Sequence, residues 1–287
     1  MMGVVIVCDS TADLQISAKN KYGIKTVPLK VHFGDEEYRD GVDITAEEFY
    51  RKLESSKVLP TTSQPSPGDF VEMYKGILAD GDHSIISIHL SAKLSGTHHS
   101  AEMAKRMLPD SDIEVIDSKL ASTAYGIIVL EAAKAAANGK NKDEIVSLIE
   151  DLLDRVSVMF VVDTLEYLKK GGRIGKAQAL LGTMLNIKPI LTLEAGEIMP
   201  LTKARGRKKA ISELIQKMQE KIGSEKQTLM GIMHASDPQG AEMVKGEITK
   251  VWSPDSMVES MVGPVIGTHT GPGTLAIIGI KRNNETY

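Results

Sequence analysis

The stretch Val4-Val5-Ile6-Val7-Cys8-Asp9-Ser10-Thr11-Ala12-Asp13 decides the fold. Its unbroken apolar run reads as a strand buried on both faces, and the short polar side chains that end it can cap a following helix. The same handover recurs downstream. Ser84–Leu90 is a buried-looking strand followed by the loop Ser91–Thr97 and a helix to about Leu108. Ile113–Ile116 ends in Asp117-Ser118 ahead of a long apolar helix from about Ala121 to Ala137. Thr26–Phe33 reads as extended, and Thr45-Ala46-Glu47-Glu48 is a capping box that opens a helix to Glu54. Pro67-Gly68 leads into a helix over Asp69–Leu78, and Asn141–Asp154 is an amphipathic helix. Strands separated by helices predict parallel βαβ units in a three-layer α/β domain over residues 1–157.

From Ser157 onward the pattern changes. Ser157–Val162 is a strand, and Leu165–Lys170 and Ala177–Leu185 read as helical on either side of a Gly171-Gly172 turn. Ile187–Leu193 and Ile198–Leu201 flank Glu194-Ala195-Gly196-Glu197 as a hairpin. A helix over Lys208–Lys221, a strand over Thr228–His234 and a helix over Gly240–Val251 follow. Met257–Thr268 and Leu275–Lys281 read as strands around Thr270-Gly271-Pro272-Gly273. A hairpin beside helices predicts an α+β second domain over residues 158–287.

The chain has 287 residues and a net charge of −4, which argues against bulk nucleic-acid binding. A single Cys cannot form an internal disulfide or a thiolate cluster, which fits a reducing cytoplasm. The opening Met1-Met2-Gly3-Val4 carries no basic leader, and no run of about 18 apolar residues occurs, so neither secretion nor membrane spanning is expected. The apolar volume comes from aliphatic side chains and 14 Met rather than from aromatics, which suits irregular interior shapes.

Ligands of open parallel sheets sit beyond the carboxyl ends of the strands. The loops there, Asp9-Ser10-Thr11, Thr61-Thr62-Ser63-Gln64, Ser91–Thr97 and Asp117-Ser118, are rich in hydroxyls and poor in catalytic combinations. Gly96 permits close approach of an anion between Ser95 and Thr97 at a helix start. A triad of Ser95, His269 and Asp117 would need a nucleophile elbow, but the residues are Lys93-Leu94-Ser95-Gly96-Thr97. No Walker pattern, Gly-x-Gly-x-x-Gly fingerprint or His-Glu-x-x-His spacing is present. Asp9, Asp13 and Asp117 are explained by capping more simply than by magnesium. Two basic clusters, Lys169-Lys170 with Arg173 and Lys176, and Lys203 to Lys209, read as solvated surface, or as charge that gates an anionic site or docks an acidic partner.

Six ordered motifs together carry a resemblance: Asp9–Leu14, Thr61–Ser66, Leu94–Thr97, Asp117–Lys119, Leu168–Ile174 and Gly263–His269. The chain resembles the DegV family, fatty-acid-binding proteins that serve as the carrier subunit of bacterial fatty acid kinase. The resemblance implies two α/β domains with a lipid tunnel between them, and a long-chain fatty acid as ligand with no cofactor and no metal. It implies that Thr62 and Ser95 hydrogen-bond the carboxylate, with the Gly96 N–H nearby and His269 completing the network. Thr61 or Ser63 could equally be the hydroxyl donor. Arg173 would sit at the surface near the carboxylate, where the family meets an ATP-dependent kinase that forms the acyl phosphate for phospholipid synthesis. Transient contact with a membrane surface is also expected. Met159, Phe160, Val161, Met184, Leu185 and Ile187 are candidate tunnel lining, and Lys169–Lys176 a candidate mobile segment. Burying about 14 methylenes at ~0.8 kcal/mol each supplies a gross 11 kcal/mol or so, so the tail would drive affinity. The head group then needs only neutral donors that leave its charge paired. The competing readings are a hydrolase or acyltransferase using Ser95 and His269, and a binder of small phosphorylated metabolites.

Overall fold

The computed structural model describes residues 3–182, 186–225 and 229–281. Strand β1 (Val4–Asp9) lies inside a parallel sheet, because its apolar side chains meet helices on both faces. Helix α1 (Ile16–Tyr22) leads to β2 (Lys25–Val27), where Pro28 interrupts the ladder. The expected single segment Thr26–Phe33 is therefore two strands in two sheets. The second, β3 (Lys30–Phe33), pairs with β4 (Glu36–Arg39) and, across helix α2 (Ala46–Ser55), with β5 (Thr61–Ser63). The Thr45 capping box starts α2 as expected. Neither β4 nor β5 was legible in sequence: the first is polar and the second only three residues long.

Helix α3 (Pro67–Ala79), β6 (Ser84–His89), α4 (Thr97–Arg106) and β7 (Ile113–Asp117) complete the first sheet in the order β2-β1-β6-β7, all parallel. Helices α5 (Thr123–Ala137) and α6 (Lys142–Arg155) follow. The second half builds on β8 (Val156–Val161), α7 (Glu166–Lys170), and the hairpin β9 (Ile187–Glu194) and β10 (Glu197–Arg205). Then come α8 (Arg207–Ile222), β11 (Leu229–His234), α9 (Pro238–Trp252), β12 (Ser256–Met261), α10 (Pro264–Thr270) and β13 (Leu275–Ile280). The strand order is β10-β9-β8-β13-β11-β12, antiparallel except where β11 meets β12. This is a mixed α/β protein with a parallel sheet and a second sheet domain.

Two expectations are corrected here. Met257–Thr268 is not one strand: it breaks at Gly263-Pro264, and Pro264 occupies the first position of α10, where its missing N–H costs nothing. The expected helix Ala177–Leu185 is helical only as far as Leu180, within a 3₁₀ helix over Gly175–Leu180, and residues 183–185 lie outside the described residues.

Helices α8 and α9 cover one face of the second sheet, packing on Met159, Val161, Ile190, Met230, Ile232 and Ile277. Its other face shares one core with the first half. Val158, Phe160, Leu191, Met233, Ala276 and Ile278 join Ile6, Ile86, Ile88 and the buried side of α5. Gly126 allows α5 to press against the Ala12 carbonyl, where a Cβ would overlap it. No described helix is long and apolar enough to cross a membrane.

Candidate functional site

A cavity of about 260 Å³ lies between the two sheets. That is well beyond a packing defect, since about 150 Å³ already admits benzene. Its apolar walls come from several elements: Val158 and Phe160 on β8, Leu193 and Ile198 from the hairpin, Met233 on β11, and Val265 and Ile266 on α10, with Leu29, Leu90 and Leu94 facing them. Of the candidate lining, Phe160 faces the cavity. Met159 and Val161 point to the opposite face of β8, into the α8/α9 core, because strand side chains alternate. Ile187 does not line it, and Met184 and Leu185 lie outside the described residues.

Polar groups gather where this cavity meets a second pocket of about 250 Å³, lined by Leu59, Pro60, Thr61, Tyr167, Lys170 and Gly171. Thr62, Arg173 and His269 border both. The His269 Nε2 lies 2.9 Å from Thr62 Oγ1, and its Nδ1 has no partner among the described residues. Burial, reinforced by the Arg173 charge, pushes the imidazole down to about 4, so it is neutral at pH 7. With its proton on Nε2 it donates to Thr62, which leaves the Thr62 hydroxyl proton free for a further acceptor. Gly171 makes room for the imidazole, since a Cβ there would collide with Nδ1.

The loop before α4 supplies the next donor. Ser95 Oγ lies 2.9 Å from Thr97 Oγ1 and accepts the Thr97 N–H at 3.3 Å. When Thr97 donates, the Ser95 proton is free to point into the cavity that Ser95 lines. Gly96 starts α4 and lies against the Gln64 amide, whose Nε2 donates to Ser100 Oγ at 3.1 Å. This contact joins the Thr61–Gln64 segment to the Ser91–Thr97 loop.

The three neighbouring hydroxyls separate by strand geometry. On β5, Thr62 faces His269, while the Ser63 hydroxyl pairs with His32 Nε2 at 2.9 Å although Ser63 still borders the cavity. Thr61 is exposed and lines the outer pocket alone. Arg173 is half-buried rather than a free surface residue. Its Nε donates to the Leu94 carbonyl at 3.0 Å and its Nη1 to the Gly171 carbonyl at 2.7 Å, which pins the turn after α7 to the Ser95 loop.

The triad of Ser95, His269 and Asp117 does not assemble. Ser95 is bonded to Thr97, His269 to Thr62, and Asp117 to the N–H groups of Ala92 and Lys119. An Asp–His–Ser chain does occur elsewhere: His89 Nδ1 lies 3.0 Å from Asp9 Oδ2 and His89 Nε2 lies 2.8 Å from Ser87 Oγ. All three are fully buried and Ser87 accepts from Tyr74, so no substrate reaches them. Asp9 also accepts from Thr11, Tyr125 and the Leu90 N–H, which saturates it. Among the described residues no group of three His, Cys, Asp or Glu could hold a metal.

Leu29 and Met233 were not singled out from sequence, and Gln64, Val265 and Ile266 stood inside the ordered motifs without a role. Pro264 after Gly263 is the one local signal that α10, and hence Val265 and Ile266, form a helix; nothing local marks the others.

A family model described as uncharacterised protein, DegV family, matches residues 3–282. A DegV domain-containing protein of Caldanaerobacter subterraneus is 37% identical over 277 residues, covering 96% of this chain and 98% of that protein. Among solved structures, a DegV family protein of Thermus thermophilus, described by its fatty acid binding, superposes with a TM-score of 0.91 at 36% identity, over 98% of this chain and 100% of that one. DegV of Bacillus subtilis, a fatty acid binding protein, gives 0.88 at 34% identity over the same shares. A stearic acid-binding protein of Eubacterium ventriosum gives 0.85 at 27% identity, covering 98% of each chain.

Proposed function

The chain belongs to the DegV family, and from that premise we propose that it is a carrier that holds one long-chain fatty acid and performs no chemistry of its own. The tail occupies the cavity between the sheets, and the carboxylate lies at its polar end. Thr62 and Ser95 donate hydroxyl protons to it and His269 orients Thr62; Gly96, which is not among the lining residues, serves by packing on Gln64, and Thr61 and Ser63 are left to the outer pocket and to His32. The observation that carries this reading is an apolar cavity whose polar end gathers Thr62, Ser95, His269 and Arg173, while the His269 Nδ1 has no carboxylate behind it, among the described residues, to make the Thr62–His269 pair a nucleophile and base. A buried carboxylate needs paired donors rather than a full countercharge, each such bond being worth ~1.5–3 kcal/mol. The neutral imidazole costs no desolvation of a second ion. The ligand replaces any cofactor or metal in this account.

Native mass spectrometry on gently purified protein tests it. The expected result is a bound mass of a C16–C18 fatty acid that is lost on delipidation and regained from the free acid. A phosphorylated metabolite in its place, or a delipidated protein that takes up no fatty acid, overturns the reading.

The finer part of the proposal is that the carboxylate is presented to a separate ATP-dependent kinase, which forms an acyl phosphate inside a site closed to water. It is supported by the position of the outer pocket, which reaches the carboxylate end past Arg173 and exposed Lys170. Arg173→Ala, compared with wild type when both are fully loaded with fatty acid, is expected to lower kinase-dependent acyl phosphate formation at least tenfold, about 1.4 kcal/mol of lost interaction. Full turnover with the variant would remove Arg173 from that role.

A further inference from the structure

Behind the cavity wall, two carboxylates meet at one glycine. Asp13 turns its carboxylate onto Gly263 and accepts from Ser122 Oγ and the Gly263 N–H. Asp40, 4% exposed, places Oδ1 3.6 Å from where a Gly263 Cβ would stand. Its Oδ2 accepts from Ser10 Oγ at 2.8 Å, and that hydroxyl in turn accepts the Leu29 N–H at 3.0 Å. Both carboxylates are thereby tied to walls of the proposed lipid site, Asp40 through Ser10. Ser122 and Leu29 line the cavity, and Gly263 begins the helix that delivers Val265, Ile266 and His269 to it.

Among the described residues no cation forms an ion pair with either carboxylate. The charged and titratable groups around them are Asp9 on β1, whose charge opposes theirs, Lys19 on α1, acting only at a distance, and Tyr50 on α2. Tyr50 is 6% exposed and its hydroxyl has no partner among the described residues. Two negative charges side by side in such surroundings are unfavourable, so the pair retains a proton that isolated carboxyls would lose.

We propose that Asp13 and Asp40 are positioning residues that tie three walls of the lipid site together at Gly263, so that ionising Asp40 beside the buried Asp13 carboxyl, with no cation among the described residues to pair it, loosens the site and weakens ligand binding. An alkyl chain in the cavity keeps water away from Ser122 and Leu29, so the loaded protein holds the proton more tightly than the empty one. By linkage the protonated pair then binds the ligand more tightly. The direction agrees with the titration: burial raises both carboxyls, Asp40 to about 6, so their contribution to stability is full at low pH and is lost as pH rises through that value. The buried imidazole of His269 works in the opposite direction, gaining as pH rises from about 4.

This inference rests on the proposed fatty-acid site, so two readouts are needed. Affinity for cis-parinaric acid is measured at pH 5.5 and pH 8 on delipidated wild type and Asp40→Asn. The amide keeps an acceptor for Ser10 but cannot add a second charge. The ligand's own ionisation and that of His269 are common to both proteins and cancel in the comparison. Wild-type affinity should fall about tenfold more than that of the variant, the effect of a one-unit difference between loaded and empty protein. The second readout is the melting temperature of the empty proteins. Between pH 5 and pH 7.5 the wild type should lose stability relative to Asp40→Asn. Parallel melting profiles overturn the cost of ionising Asp40, and parallel affinity profiles overturn its link to the ligand. If no fatty acid binds at any pH, the function proposal and the link both fall, while the melting profiles still decide the ionisation of Asp40.

Discussion

Thr62→Val should weaken binding of a C16–C18 fatty acid by roughly ten- to hundredfold while leaving the fold of the empty protein intact. Valine keeps the branched shape and the place on β5, so packing against His269 is preserved and only the hydroxyl is lost. One donor then disappears from the carboxylate's surroundings, the Thr62 proton, and the His269 imidazole loses the 2.9 Å contact that aligns it. The cost is that of a buried charge with an unmade hydrogen bond, hence its size. Dissociation constants for the acid and for the fatty alcohol of the same length separate this from general damage. The alcohol carries no charge and should lose less than threefold, about 0.6 kcal/mol. Equal losses for both ligands would mean that Thr62 shapes the cavity rather than holding a head group, and an unchanged acid affinity would remove it from the site.

The second large effect is steric. Ala121 lines the cavity just before α5. In Ala121→Phe the ring enters space assigned to the tail and displaces three or four methylenes. At ~0.8 kcal/mol each, this predicts a loss on the order of 50- to 200-fold for a C18 acid. A C10 acid, which need not reach that region, should lose much less. The empty variant should melt no lower than wild type, because the ring fills a void instead of overpacking a solid core. Equal affinity for the C18 acid would show that the tail runs elsewhere.

How much of this was legible in advance depends on what each residue's neighbours in sequence dictate. The parallel sheet could be read from Val4–Cys8, Ser84–Leu90 and Ile113–Ile116, because a strand buried on both faces has to be apolar throughout. The hydroxyl loops at the strand ends could be read because small polar residues there cap helices and face a crevice. The motifs from Asp9 to His269 carried the family likeness. Which of Thr61, Thr62 and Ser63 meets His269 could not be read, since that depends on the register of β5 against β3 and on α10 arriving from 207 residues away.

The sequence by itself determined the alternation of elements, the chemistry available at their ends and the lack of any local motif for a metal, nucleotide or nucleophile. Only the tertiary structure decided which face of each element became cavity wall. Strand β8 alternates between two equally apolar faces. The side bearing Met159 and Val161 was taken by α8 and α9, leaving Val158 and Phe160 to line the void. The segment Val262–Thr270 is apolar or small at nearly every position, so periodicity could not separate helix from strand; packing against Phe49 and Tyr50 through Gly267 did. The neutral state of His269 and the forced proximity of Asp13 and Asp40 likewise come from burial, which no single residue carries in its own name.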